Sequence, residues 1–155
     1  MPDAERFLTQ AITLARDNVR KGGRPFGAVL VIDGEVVATG VNGVIETHDP
    51  TAHAELVAVR AAAIKRGTAT LKGASVYASG HPCPMCLAAM RLAGITDIAY
   101  AYSNEDGAPY GLTSAPLYTE LSKPFADQQM TFAYRPVRPE GETDIYDFWR
   151  DMQQG

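Results

Sequence analysis

The chain has only two cysteines, three positions apart at Cys83 and Cys86. A secreted disulfide framework needs more thiols spread more widely, so none is expected. Basic charge is also scarce. Fourteen Lys and Arg face 18 Asp and Glu, a formal net charge of −4. From Ser103 onward nine acidic residues stand against four basic ones. A surface that follows a nucleic-acid backbone is normally basic, so a nucleic-acid partner is not expected. No run is apolar for long enough to span a membrane, and no membrane partner is expected. Asp3, Glu5 and Arg6 interrupt any signal-peptide pattern, so the expected location is cytoplasmic. Internal repeats, low-complexity segments and interdomain linkers are missing too.

What is there suits a folded globule. With 155 residues, 46% hydrophobic and 21% charged, the expectation is one domain, 1–155, with a sizeable core. Phe7, Leu8, Ala11, Ile12, Leu14, Ala15 and Val19 recur at helical spacing after Asp3, a candidate cap, and Gly22-Gly23 ends the run. The stretch 28–32 is continuously apolar, as in a strand covered on both faces. Asp33-Gly34 predicts a hairpin turn, with 35–41 as the returning strand. Asp49 is a candidate cap for the next helix, with Pro50 at its first position and Gly67 as its stop. Further strands are expected at 74–78, 95–102 and 130–134, and further helices at 84–92, 116–121 and 144–152. Strands alternating with helices predict an α/β sheet with helices on its faces.

The chemistry concentrates in two short stretches. One is His53-Ala54-Glu55, and the other is Pro82-Cys83-Pro84-Met85-Cys86. Cys83 and Cys86 are spaced to share one face of a helix, and a helix N-terminus favours their thiolates. Two thiolates and a neutral imidazole from His53 balance the charge of Zn²⁺. Three protein ligands with a fourth position open is the catalytic arrangement, whereas structural zinc usually has four. Glu55 is then the candidate catalytic proton carrier. His53 and Glu55 lie only two apart, so they can cooperate only where a helix begins. Two other readings of the cysteines compete. Cys-x-x-Cys can be a dithiol redox pair, and a structural zinc could take His48 or His81 as its fourth ligand.

These motifs resemble the cytidine-deaminase-like superfamily of zinc hydrolases, whose H-x-E and P-C-x-x-C signatures they match. Within it the chain looks most like the bacterial guanine deaminases, through 25–29, Asn42, 49–55, 82–87 and a segment around Trp149. The resemblance implies a three-layer α-β-α sandwich around a central five-stranded mixed sheet. It implies one Zn²⁺ per chain held by His53, Cys83 and Cys86. It also implies a homodimer, in which a C-terminal segment reaches the neighbouring site. Phe26 would stack on a base and Asn42 would hydrogen-bond to it, with Ala54, Ser79 and His81 as further candidate substrate contacts. The chain departs from the guanine deaminases in four places. They usually carry Glu where this chain has His81, an acid where it has Thr113-Ser114, an aromatic near Leu92, and a terminal tyrosine where it ends Gln153-Gln154-Gly155.

The expected function is hydrolytic deamination of a small amino-heterocycle, a free nucleobase or a nucleoside-like compound, with release of ammonia. Guanine is the reference substrate. The departures leave room for cytosine or another pyrimidine, a triazine, or guanosine. The tRNA adenosine deaminases share the zinc motif, but this chain lacks a C-terminal basic cluster to receive an anticodon arm.

Overall fold

The computed structural model describes residues 3–155. They divide into two compact units, a larger one ending at Ser122 and a smaller one, Lys123–Gly155. In the larger unit α1 (Ala4–Arg20) leads into β1 (Gly27–Ile32) and β2 (Glu35–Val41). Asp33 and Gly34 turn between these strands with φ of 52° and 78°. Both signs are positive, as the tight hairpin turn requires. There follow α2 (Val44–Thr47), α3 (Ala54–Arg66), β3 (Ser75–Gly80), α4 (Pro84–Leu92) and β4 (Asp97–Tyr102). Then come α5 (Asn104–Gly107), a 3₁₀ turn at Ala108–Tyr110 and α6 (Ala115–Leu121).

The strands lie in the order β2-β1-β3-β4. β1 runs antiparallel to both of its neighbours, and β3 runs parallel to β4. The sheet is therefore mixed. The alternation of side chains along β1 decides what lies on each face. Ala28 and Leu30 point to a core shared with Ala54, Leu56, Ala58 and Ala62 of α3 and with Cys86 and Met90 of α4. Val29 and Val31 point the other way, to Phe7 and Ala11 of α1. Tyr77 of β3 joins that second core, with its ring centroid 4.9 Å from that of Phe7. Helices thus cover both faces, which is why β1 reads as an unbroken apolar run.

Two expectations are corrected. The sheet has four strands, not five. The stretch 130–134 has strand-like residues but carries no ladder. Strand propensity is realised only against a pairing edge, and composition does not reveal whether one is present. The helix expected to start beside Asp49 starts instead at Ala54. The Asp49 carboxylate accepts from the Thr51 amide at 2.8 Å and from the Thr51 hydroxyl at 2.7 Å. That local turn takes the place of a helix cap.

In the smaller unit a 3₁₀ turn at Phe125–Asp127 and an irregular stretch precede α7 (Ile145–Gln154). Asp144 caps α7 by accepting from the Tyr146 amide at 3.1 Å. Phe132, Tyr134 and Trp149 stand open to solvent. No helix among the described residues is long and apolar enough to cross a membrane.

One close approach couples the sheet to the helix that carries Glu55. A Cβ on Gly40 of β2 would fall on the Ala54 carbonyl oxygen and lie 2.7 Å from the Ala58 amide. These are backbone atoms of α3 and cannot swing aside. Gly40→Ala is expected to push α3 off the sheet and to destabilise the fold by about 1–3 kcal/mol, as overpacking does. Urea unfolding checks this, and an unchanged midpoint would show that α3 has room to move.

Candidate metal centre

The two motifs meet because each ends at the N-terminus of a helix on the same face of the sheet. His53 is the N-cap of α3, with extended backbone angles φ −75° and ψ 152°. It therefore projects differently from a residue inside the helix. This solves the spacing problem between His53 and Glu55, since one stands before the helix and the other in its first turn. Cys83 is likewise the N-cap of α4, with φ −73° and ψ 167°. Pro84 follows at the first helical position, where its missing N–H costs nothing. The Cys83 sulfur accepts from the Cys86 amide at 3.5 Å, which turns both sulfurs toward one point.

His53 Nδ1 lies 3.4 Å from Cys83 Sγ and 3.6 Å from Cys86 Sγ. All three donor atoms fall within 4.8 Å of one another. A tetrahedral zinc with bonds of about 2.3 Å to sulfur and about 2.0–2.1 Å to nitrogen holds such atoms about 3.5 Å apart. The donor set thus fits zinc in both chemistry and spacing. Among the described residues, no fourth His, Cys or carboxylate joins it. His48 ends α2 and is exposed, and His81 Nδ1 lies 2.9 Å from the Pro82 carbonyl oxygen.

Proton affinities in the cluster are strongly perturbed. The Cys83 thiol is brought down to about 4, chiefly by a hydrogen bond from the Cys86 thiol and further by one from His53. Cys86 is pushed up, because it donates to Cys83 and is buried. His53 is raised by its hydrogen bond to Cys83. Glu55 is 6% exposed. Burial raises its carboxyl above the ordinary range, and a hydrogen bond from Cys86 partly offsets this. A carboxyl raised in this way takes up a proton more readily than an ordinary one, as a proton carrier must.

A cavity of about 140 Å³ opens beside the cluster, lined in part by His53, Glu55 and Cys83. Phe26, Asn42, Ala54 and His81 line it as well. Asn42 is almost fully buried. Its Oδ1 accepts from the Val44 amide at 3.1 Å, which leaves Nδ2 as the group free to donate. Ala54 stands at the first position of α3, where the backbone N–H has no partner within the helix. Phe26 fits because β3 ends in Gly80, whose Cβ would come 3.2 Å from the ring. Ser79 lies elsewhere. Its hydroxyl oxygen accepts from the Gly27 amide at 3.0 Å, joining β1 to β3, and it borders a second, larger cavity of about 780 Å³.

Sequence reasoning missed Arg24 and Leu112, which also line the small cavity. Arg24 precedes Pro25-Phe26 and reads as a turn residue, while Leu112 sits in a polar loop. It missed Tyr118 too. This residue of α6 donates its hydroxyl proton to the Pro82 carbonyl, next to Cys83 of the cluster. Thr113 and Ser114 border the cavity as well.

Residues 1–102 match the family described as the zinc-binding region of cytidine and deoxycytidylate deaminases. The chain belongs to this family of zinc-binding deaminases. It is 42% identical to a guanine deaminase of Bacillus subtilis (strain 168) over 129 residues, 83% of each chain. It is 33% identical to a tRNA-specific adenosine deaminase of Aquifex aeolicus (strain VF5) over 149 residues, 96% of this chain and 95% of that one. Among solved structures, a Bacillus subtilis guanine deaminase superposes with a TM-score of 0.85 at 38% identity, covering 95% of this chain and 93% of that one. A structure solved with 2,6-diaminopurine superposes with a TM-score of 0.69 at 26% identity, covering 74% of this chain and 64% of that one.

The proton inventory gives a prediction. Zinc must displace the proton that Cys86 retains and any proton on His53. Its affinity is expected to rise between pH 6 and 8, about tenfold per unit for each proton displaced. Competition against a chromogenic chelator across that range checks this, and a flat profile would show that the donors are already unprotonated.

Proposed function

We propose that this chain catalyses the hydrolytic deamination of a free amino-purine, with guanine as the preferred substrate. One observation carries this reading: a zinc-fitting His-Cys-Cys cluster and a buried, proton-ready Glu55 border a cavity of about 140 Å³. That volume is far below the roughly 300–1,000 Å³ of a drug-sized site and favours one heterocycle over a whole nucleoside. The likeness to guanine deaminases over most of the chain supports the purine.

In this reading His53, Cys83 and Cys86 hold the ion, which when bound supplies the Lewis acidity that makes water a nucleophile at neutral pH. Phe26 stacks on the ring and fixes its plane. Asn42 Nδ2 and the Ala54 amide donate to the polar edge of the base and orient it. Glu55 takes the proton from the attacking water and hands it to a ring nitrogen. As the C–N bond breaks it takes the second proton, from the newly added hydroxyl, and delivers it to the departing amine, which leaves as ammonia while the ring carbon becomes a carbonyl. The dry surroundings of Glu55 favour this shuttle, because burial raises its carboxyl above the ordinary range and so strengthens its hold on the proton it takes up.

We also infer a homodimer working in the cytoplasm. β4 is an outer strand on which Tyr100 and Tyr102 are open to solvent. The smaller unit exposes further large apolar side chains. Exposed apolar surface of this kind marks interaction sites. A tRNA substrate, as for the Aquifex relative, is disfavoured by the net charge of −4.

Ammonia release by the zinc-loaded protein tests the reading, with guanine, guanosine, adenine, cytosine, isocytosine and an aminotriazine as substrates. Guanine is expected to react fastest. Glu55→Gln is expected to keep its zinc and lose at least about 10²–10⁴-fold in kcat. Turnover confined to cytosine or guanosine would overturn the purine-base reading, and an active Glu55→Gln enzyme would remove Glu55 from the mechanism.

A further inference from the structure

His81 borders both the small cavity beside the metal ligands and the larger one of about 780 Å³. Its ring is held from several sides. Nδ1 lies 2.9 Å from the Pro82 carbonyl oxygen. The Tyr100 ring approaches it at a centroid distance of 4.7 Å and 62°, and the Tyr118 ring at 5.4 Å and 89°. The Tyr118 hydroxyl bonds to the same Pro82 carbonyl, so the clamp on the ring is tied to the residue preceding Cys83. A carbonyl oxygen can only accept, so Nδ1 carries the hydrogen. In the neutral ring this leaves a lone pair on Nε2. Among the described residues, Nε2 has no hydrogen-bond partner.

We propose that His81 determines specificity by accepting, at Nε2, a hydrogen bond from a ring N–H of the base. The inference rests on the deaminase reading, which places a base in the small cavity. A fixed acceptor at the boundary of the two cavities distinguishes ligands by one atom. A free base offers an imidazole N–H there. A nucleoside or an N-alkyl base offers carbon, which gives the lone pair of this half-buried ring no donor. Sites built around a buried hydrogen bond reject analogues that lack it much more strongly than sites that discriminate by size.

The test measures binding of 2,6-diaminopurine and 9-methyl-2,6-diaminopurine by calorimetry. It uses the full-length zinc-loaded protein carrying Glu55→Gln, so that turnover does not interfere. With His81 present, the parent base is expected to bind about tenfold more tightly or better. His81→Leu is expected to bring that preference below about threefold, mainly by weakening the parent base. His81→Gln, whose side-chain carbonyl can accept near the position of Nε2, is expected to keep most of it. A preference that survives His81→Leu overturns the proposal. So does an equal loss for both ligands, or binding of neither ligand before substitution. Ammonia release by the active enzyme is scored separately. A His81-dependent preference without turnover on any substrate would sink the deaminase reading alone. Turnover without that preference would sink only the role given to His81.

Discussion

The structure depends on two helix N-termini facing one point. α3 and α4 pack on the same face of the sheet, and the residue just before each helix, His53 or Cys83, brings a donor atom to a cluster that fits a metal. An N-cap has extended backbone, so its side chain projects where a helical residue cannot reach. His53 and Cys83 use that freedom, and Cys86 adds its sulfur one turn into α4. Gly40 lets α3 settle close to the sheet, and Met90 and Ala58 fill the core beneath. The metal cluster is thus a product of core packing. Displacing either helix would separate donors that now lie 3.4 and 3.6 Å from their common nitrogen.

The same arrangement governs the electrostatics. Two thiols, an imidazole and a carboxyl are crowded together with little water. They cannot all take their ordinary charges, so protons redistribute. Cys83 gives up its proton easily, Cys86 holds on to its own, and the carboxyl of Glu55 is raised by burial. A divalent cation relieves this crowding by pairing with the thiolates. Glu55 stands outside the donor set and keeps a carboxyl raised by burial.

Much of this was legible in the sequence. That His53, Cys83 and Cys86 would meet could be read because an H-x-E and a P-C-x-x-C segment each place soft donors where a helix begins. The hairpin at Asp33-Gly34 and the doubly covered strand β1 could be read because turn chemistry and side-chain alternation are local. The misreadings were non-local or competitive. The segment 130–134 has the residues of a strand, but pairing depends on an edge that sequence cannot display. Asp49 looked like a cap, yet Thr51 offered it closer donors. Arg24, Leu112 and Tyr118 come to the site from turns and a short helix whose course no periodicity predicts. His81 stood out as a departure from the family pattern and as a candidate fourth zinc ligand. Its held tautomer depends on the Pro82 carbonyl and two tyrosine rings brought in by the fold.

The central claim is a zinc held by three protein donors with one position left for water. X-ray absorption at the zinc edge of the full-length protein tests it most directly. The account predicts two sulfur scatterers at about 2.3 Å and two light atoms at about 2.0–2.1 Å. Only one of the light atoms should carry the outer-shell scattering of an imidazole ring. A second imidazole, or a third sulfur from a neighbouring chain, would close the coordination sphere and contradict the account.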